Sequence, residues 1–297
     1  MNYRNRTKSL LFVLAGGMLM QTACNSSRKT GGTAGNEKVI FFDDFSGTSL
    51  DRSKWNVFLT GYVFNNEQQA YIDSSSTLSI VHGSESEGAS NGALRFRPQF
   101  TPGFKTADGT KFDFTSARIN TKGKVDFVYG TASARIKMTA GEGLWPAWWM
   151  LGSGNWPATG ETDIMEYIGE KDWAGPAVHG PGYSGETPFV NKHYFPAGND
   201  ITTWHIYAVE WTRDSLLFKY DDTLVLRITR PMVEHYGKWV FDNPNHLLLN
   251  FALGGAFPVK MNGVKKPYYG LPQSTVDLIK NNESKMLVDW VKITQPQ

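Results

Sequence analysis

One short stretch, Glu161-Thr162-Asp163-Ile164-Met165-Glu166, carries three carboxylates inside a segment otherwise apolar enough to be buried. Side chains on a β-strand alternate between faces, so Glu161 and Asp163 share a face while Glu166 points the other way. One extra residue, a β-bulge, returns Glu166 to the face of the other two, and bulges are over-represented beside active sites. A helix does worse: at about 100° per residue, positions five apart diverge by about 140°. The stretch therefore predicts a bulged strand that displays three acids on one face.

Two carboxylates flanking a sugar–sugar bond are the minimum equipment for glycoside hydrolysis, and in retaining enzymes they stand about 5–5.5 Å apart. The Cα atoms of Glu161 and Glu166 are about 13 Å apart on such a strand, close enough for two leaning side chains to reach that separation. Asp163 lies between them. There it can hydrogen-bond one neighbour and raise the proton affinity of the other, splitting two similar Glu residues into an ionised nucleophile and a protonated acid. The competing explanation is a charged, solvated strand face. Against it stands the setting, because Trp145, Trp148, Trp149, Met150, Trp156 and Tyr167 crowd the acids with flat, sugar-sized surfaces.

The run Gly160-Glu161-Thr162-Asp163-Ile164-Met165-Glu166-Tyr167 resembles the signature of glycoside hydrolase family 16, in the bulged form of laminarinases and related β-glucanases. Thr162 departs from the usual aliphatic residue there, on the face opposite the acids. Further segments carry the same resemblance. Val39 to Phe45 looks like the family's opening strand, and Trp55 like its early core tryptophan. Asn65-Asn66-Glu67-Gln68-Gln69-Ala70-Tyr71 is similar to an element whose first residues, here Asn65, Asn66 and Glu67, line the glycone side of the cleft. By composition alone it is a polar loop, though amide and carboxylate groups suit sugar hydroxyls.

Arg118 matches a family position that hydrogen-bonds substrate; its alternative is an ordinary surface arginine. Gly143 to Gly152 resembles the strand before the catalytic one, and alternation puts Trp145 and Trp149 on one face and Trp148 on the other. One face is expected to stack on sugar rings and the other to fill the core, and Trp156 is a further platform. His179, in Val178-His179-Gly180-Pro181-Gly182-Tyr183-Ser184-Gly185, is placed to bond Asp163 or a substrate hydroxyl. His246 to Ala252, followed by Gly254-Gly255, matches a late inner strand, with Phe251 or Phe257 shaping the cleft.

The remaining rhythm is short runs of Val, Ile, Phe, Tyr and Trp between Gly, Asn, Asp and Ser turns, which signals an all-β sandwich or barrel. The resemblance narrows this to a β-jelly-roll sandwich with a concave substrate cleft over residues 38–297. Ser116 to Lys122 and Tyr129 to Lys137 read as two strands joined by a turn near Gly123, and Ser84 to Asn91 as an exposed loop. Trp204 to Trp211, Leu216 to Asp221 and Leu224 to Ile228 read as outer strands, with Lys285 to Ile293 closing the sandwich.

The chain begins with a basic region (Arg4, Arg6, Lys8) and an apolar one ending at Ala23, the pattern of a secretory signal over residues 1–23. Cys24 is the only cysteine, which excludes an intramolecular disulfide and any multi-cysteine metal site. Its position resembles a bacterial lipoprotein's lipidation site, with Gln21 where an aliphatic residue is usual. Residues 24–37 then read as a flexible tether. The expectation is an exported, monomeric lipoprotein at the outer membrane or cell surface. Loss of residues 1–23 removes three positive charges and no acid, taking the net charge from +2 to −1 and suggesting no nucleic-acid partner.

The six histidines are scattered and His-Glu-x-x-His spacing is absent, so no cofactor is expected for catalysis. The resemblance does imply a structural calcium on the convex face, held by Asp289 with carbonyl donors at Gly92 and at Asp43 or Asp44; oxygen ligands suit that ion. The activity implied is endo-hydrolysis of a β-1,3-glucan or a mixed-linkage β-1,3/1,4-glucan. A non-catalytic glycan-binding lipoprotein on the same sandwich is the rival, and a transglycosylase would share every catalytic residue.

Overall fold

The computed structural model describes residues 37–60 and 63–297. The leader, Cys24 and nearly all of the tether lie outside the described residues. Two antiparallel sheets face each other. The acid-bearing sheet runs, in spatial order, Phe189–Val190, Trp173–His179, Glu161–Glu166, Leu144–Gly152, Asn245–Leu253, Arg118–Asn120 and Asn56–Val57. The outer sheet runs Thr223–Thr229, Ser215–Tyr220, His205–Trp211, Gly130–Met138, Met286–Pro296, Ala93–Phe96 and Leu78–Val81, with Glu37–Asp43 also paired to Met286–Pro296. Consecutive strands pair across hairpins while the C-terminal strand enters the middle of the outer sheet, the crossing pattern of a jelly roll.

Alternation decides what lies between the sheets. Trp148 and Met150 point inward and are buried, while Trp145 and Trp149 point to the opposite face and remain partly exposed. Ile164, Tyr167, Leu247, Leu249 and Phe251 join Trp148 from the acid-bearing sheet; Tyr207, Val209, Trp211, Phe218, Tyr220 and Ile293 meet them from the outer one. The ring N–H of Trp148 has no hydrogen-bond partner among the described residues, a cost of about 1–3 kcal/mol that its large buried ring outweighs. Of the two phenylalanines expected to shape the cleft, Phe251 is in this core.

Two sequence expectations change. Ser116 to Lys122 is not one strand: Lys111–Ser116 belongs to a separate sheet with Gln69–Tyr71 and Gln99–Lys105, and Arg118–Asn120 to the acid-bearing sheet. The chain crosses over at Ala117, whose carbonyl accepts from Phe251 N (3.2 Å) while Ser116 Oγ donates to Phe251 O (2.6 Å). The loop Ser84 to Asn91 contains a 3-10 turn at Gly83–Ser86 and is anchored through Ser90 to Asp289. No helix among the described residues is long and apolar enough to cross a membrane.

Candidate active site

The strand Glu161–Glu166 carries the expected bulge. Opposite Leu144–Gly152, Trp149 pairs with Asp163 and Trp148 with Met165, so Ile164 is the extra residue; the register with Trp173–His179 shifts at the same place. The displaced Ile164 carbonyl accepts the buried Tyr220 hydroxyl (2.9 Å) from the outer sheet, so a backbone group freed by the bulge is satisfied through the core. Gly160 leads in at φ +74°, where a Cβ would meet Phe241 and Val240 at 2.9–3.0 Å; only glycine fits this approach. Glu161, Asp163 and Glu166 thus share the face that looks away from the core, Asp163 the most deeply buried at 4% exposure.

Among the described residues, no Lys or Arg is bonded to any of the three. Burial, then the Glu166 charge, pushes Glu161 up to about 7, with Arg118 and the Trp156 N–H favouring its ionised form. Burial pushes Glu166 up to about 7 as well, opposed by the hydrogen bond from Trp145 Nε1 to Glu166 Oε1 (2.9 Å). Asp163 is raised well above the usual carboxylate range by burial and by both neighbouring glutamates. The sequence reading had Asp163 raising a neighbour's proton affinity; in the structure burial and then the two glutamates raise that of Asp163.

His179 pairs with Glu161 in register, its Nε2 3.9 Å from Glu161 Oε1 and 3.4 Å from Asp163 Oδ2. That Asp163 oxygen and His179 Nδ1 are buried without hydrogen bonds among the described residues. Burial lowers His179 to about 4, so the imidazole is neutral at pH 7.

The tryptophans divide their duties. Trp145 holds Glu166 through its N–H and meets Phe257 edge-on at 5.6 Å. Trp149 Nε1 donates to Asn250 Oδ1 (2.7 Å), and the Arg118 guanidinium lies over its ring at 4.8 Å. One face of Trp149 is therefore already covered, and Arg118 is not an ordinary surface arginine, being packed against Phe58 as well. Cation–π packing on two rings desolvates and orients it. Trp156, half exposed, has its ring 6.2 Å from that of His179.

Asn65 and Asn66 have φ of +47° and +56°, a left-handed backbone that asparagine tolerates better than most residues. Their type is explained by the turn they make, and Asn65 O accepts from Ala256 N (2.7 Å). Glu67 accepts from Gln69 Nε2 (2.7 Å) and Tyr71 Oη (3.2 Å), and Tyr71 Oη in turn accepts from Asn250 Nδ2 (3.1 Å). A continuous network therefore runs from Glu67 through Tyr71 and Asn250 to Trp149. Tyr71, Gln69, Asn250 and Tyr220 were missed as site residues in the sequence. Asn250 carried a signal, a lone amide within the apolar run Leu247 to Leu253.

On the far face, Asp289, the carboxylate implied for calcium, is already satisfied by protein donors. Asp289 is fully buried, and its oxygens already accept Ser90 N (2.7 Å), Ser90 Oγ (3.1 Å) and Arg135 Nη1 (2.6 Å). A guanidinium occupies the position of charge that a cation would need. The Asp43 carboxylate accepts from Trp55 Nε1 (2.8 Å) and faces Lys54 (3.4 Å), and the Gly92 Cα packs against Phe45 O closely enough that a Cβ would approach it to 2.6 Å.

A bulged strand presenting three acids, walled by tryptophans on a jelly roll, defines a glycoside hydrolase. The sequence model described as Glycosyl hydrolases family 16 matches residues 63–260, and the chain belongs to that family. It is 31% identical over 265 residues to a β-glucanase of Rhodothermus marinus, covering 85% of this chain and 86% of that one. It is 32% identical over 246 residues to glucan endo-1,3-β-glucosidase A1 of Niallia circulans, covering 74% of this chain and 34% of that longer protein, about a third of its length. Among solved structures, the endo-β-1,3-glucanase of Pyrococcus furiosus superimposes with a TM-score of 0.74 at 30% identity, over 89% of this chain and 96% of that one.

Proposed function

We propose that the protein is a retaining endo-β-glucanase acting on internal linkages of β-1,3-glucan or mixed-linkage β-1,3/1,4-glucan. The observation that carries this is the display of Glu161, Asp163 and Glu166 on one face of a single bulged strand. The glucanase relatives support the choice of glucan. In the first step a Glu161 carboxylate oxygen bonds to the anomeric carbon as the glycosidic C–O bond breaks, and Glu166 gives its proton to the departing oxygen. In the second, Glu166 takes a proton from water, whose oxygen bonds to the anomeric carbon and releases Glu161.

The chain's own contacts suit these roles. Arg118 and the Trp156 N–H favour the ionised Glu161. Trp145 fixes the orientation of Glu166. Burial and the two glutamates raise the proton affinity of Asp163, which sits beside a neutral His179. The purified enzyme, incubated separately with laminarin and with barley mixed-linkage glucan, tests the reading. A ladder of β-1,3 oligosaccharides supports a laminarinase, products from the mixed-linkage polymer alone a lichenase-type enzyme, and no products from either overturns the proposal. We also place the enzyme outside the cytoplasm on lipid at Cys24; incorporation of radiolabelled palmitate that persists in Cys24→Ser would overturn this.

A further inference from the structure

A groove of about 770 Å³ lies beside the cleft, within the range of ligand-binding pockets. It is walled by Gln68, Lys111, Phe112, Asp113, Tyr268 and Tyr269. The strands Gln99–Lys105 and Lys111–Ser116 build one side of it, and these lie in the small third sheet rather than in the sandwich. The wall is pre-organised: Asp113 accepts from Gly103 N (3.0 Å) and from Tyr268 Oη (2.9 Å), and the Tyr268 ring is edge-on to Phe114 at 4.7 Å.

Register locates the groove relative to the acids. Glu166, Ala147, Asn250 and Arg118 form one row across four strands. Gln68 N donates to Leu253 O (2.9 Å), and Leu253 is three positions along the strand from Asn250, about 10 Å to the side of that row. Glu67 joins the two regions, since it lines the groove while its carboxylate ends the network that reaches Trp149. A polysaccharide main chain crossing the strands along the row passes the groove's mouth without entering it.

We propose that this groove binds a neutral glycosyl branch carried by a main-chain unit on the Arg118 side of the acids. The inference rests on the β-glucanase reading. Half-buried tyrosines offer flat apolar faces, and Gln68, Lys111 and Asp113 offer both donors and acceptors, the mixture that sugar hydroxyls require. An acidic substituent is disfavoured because the exposed Lys111 is outnumbered by Asp113 and Glu67 in the wall.

The test compares a linear β-1,3-gluco-oligosaccharide with the same oligosaccharide bearing one β-1,6-glucosyl branch, placed in turn on each unit to the non-reducing side of the cleaved bond. At one placement kcat/KM for the branched substrate should exceed that of the linear one about tenfold, through KM. Tyr269→Ala and the exposed Lys111→Met should each bring that ratio towards one. Calorimetric titration of the branched oligosaccharide into Glu161→Gln enzyme, with and without Lys111→Met, reads the same contact without turnover. A ratio of one at every placement, or a ratio unmoved by both variants, overturns the proposal. Failure to cleave either oligosaccharide overturns the β-glucanase reading and the branch site with it.

Discussion

Two buried carboxylate sites on opposite faces of the sandwich are treated in opposite ways. On the outer sheet Asp289 is matched by Arg135 and Ser90, every oxygen accepting a donor. In the cleft three acids share a small volume with, among the described residues, no bonded Lys or Arg and one orphaned oxygen, and all three bind protons more tightly than an exposed carboxylate does. The paired site holds strands together. The unpaired one leaves its acids with raised proton affinity, and perturbed acids of this kind cluster where chemistry is done.

Removing the nucleophile should break the contrast most sharply. Glu161→Gln is expected to lower kcat about 10⁴-fold or more while glucan binding persists; near-native turnover would sink the assignment. Glu166→Gln should cost about 10²–10⁴-fold on polysaccharide and much less on an aryl glycoside, whose leaving group needs no proton, so an equal loss on both substrates would argue against the acid role.

Proton linkage distinguishes the two sites next. Glu161 and Glu166 titrate at about 7 when folded, against a reference near 4.5. Stability from their protonated forms is therefore full below about 4.5 and lost as pH rises through about 7, on the order of 3 kcal/mol per group. Thermal melts of the wild type should fall across that window, and less steeply in Glu161→Gln, which leaves Glu166 to titrate. The same titrations shape activity: kcat/KM should peak near pH 7, where one of the pair holds a proton and the other does not. A monotonic profile would count against it.

At the paired site Arg135→Ala should destabilise by about 3 kcal/mol, measured by denaturant unfolding, because it strands a buried charge, and should leave kcat untouched well below the melting temperature. EDTA should not move the wild-type melting curve; a clear drop would restore the calcium. The smallest effect is expected from Tyr220→Phe, which removes the hydroxyl on the bulge carbonyl. About 1–3 kcal/mol of stability should be lost together with a fall in kcat at unchanged KM, and a loss of stability alone would make Tyr220 merely structural.

Much of this molecule was legible in its residues. Alternation around Glu161 demanded a bulge, and the bulge is there; alternation around Trp148 separated core from cleft, and it does. The outer strands followed from short apolar runs between turns. The strand Gln99–Lys105 went unread because it is part-buried or exposed throughout and its pairing with Lys111–Ser116 is broken by a register shift, whereas in Lys111–Ser116 the alternation of Phe112 and Phe114 with Lys111 and Asp113 was an available signal. Asn65 and Asn66 were read as sugar contacts, whereas their backbone angles give them a sufficient reason to be asparagine.

The sequence by itself determined which side chains are available and which face of a strand each occupies, since both are properties of neighbours a few positions apart. Only the tertiary structure decided their partners. Tyr220 reaches Ile164 across 56 positions and Arg135 reaches Asp289 across 154. Arg118 lies on Trp149 rather than in solvent. Whether a carboxylate is neutralised or left proton-hungry depends on the donors that folding brings beside it and on the water it excludes, and no local pattern encodes either.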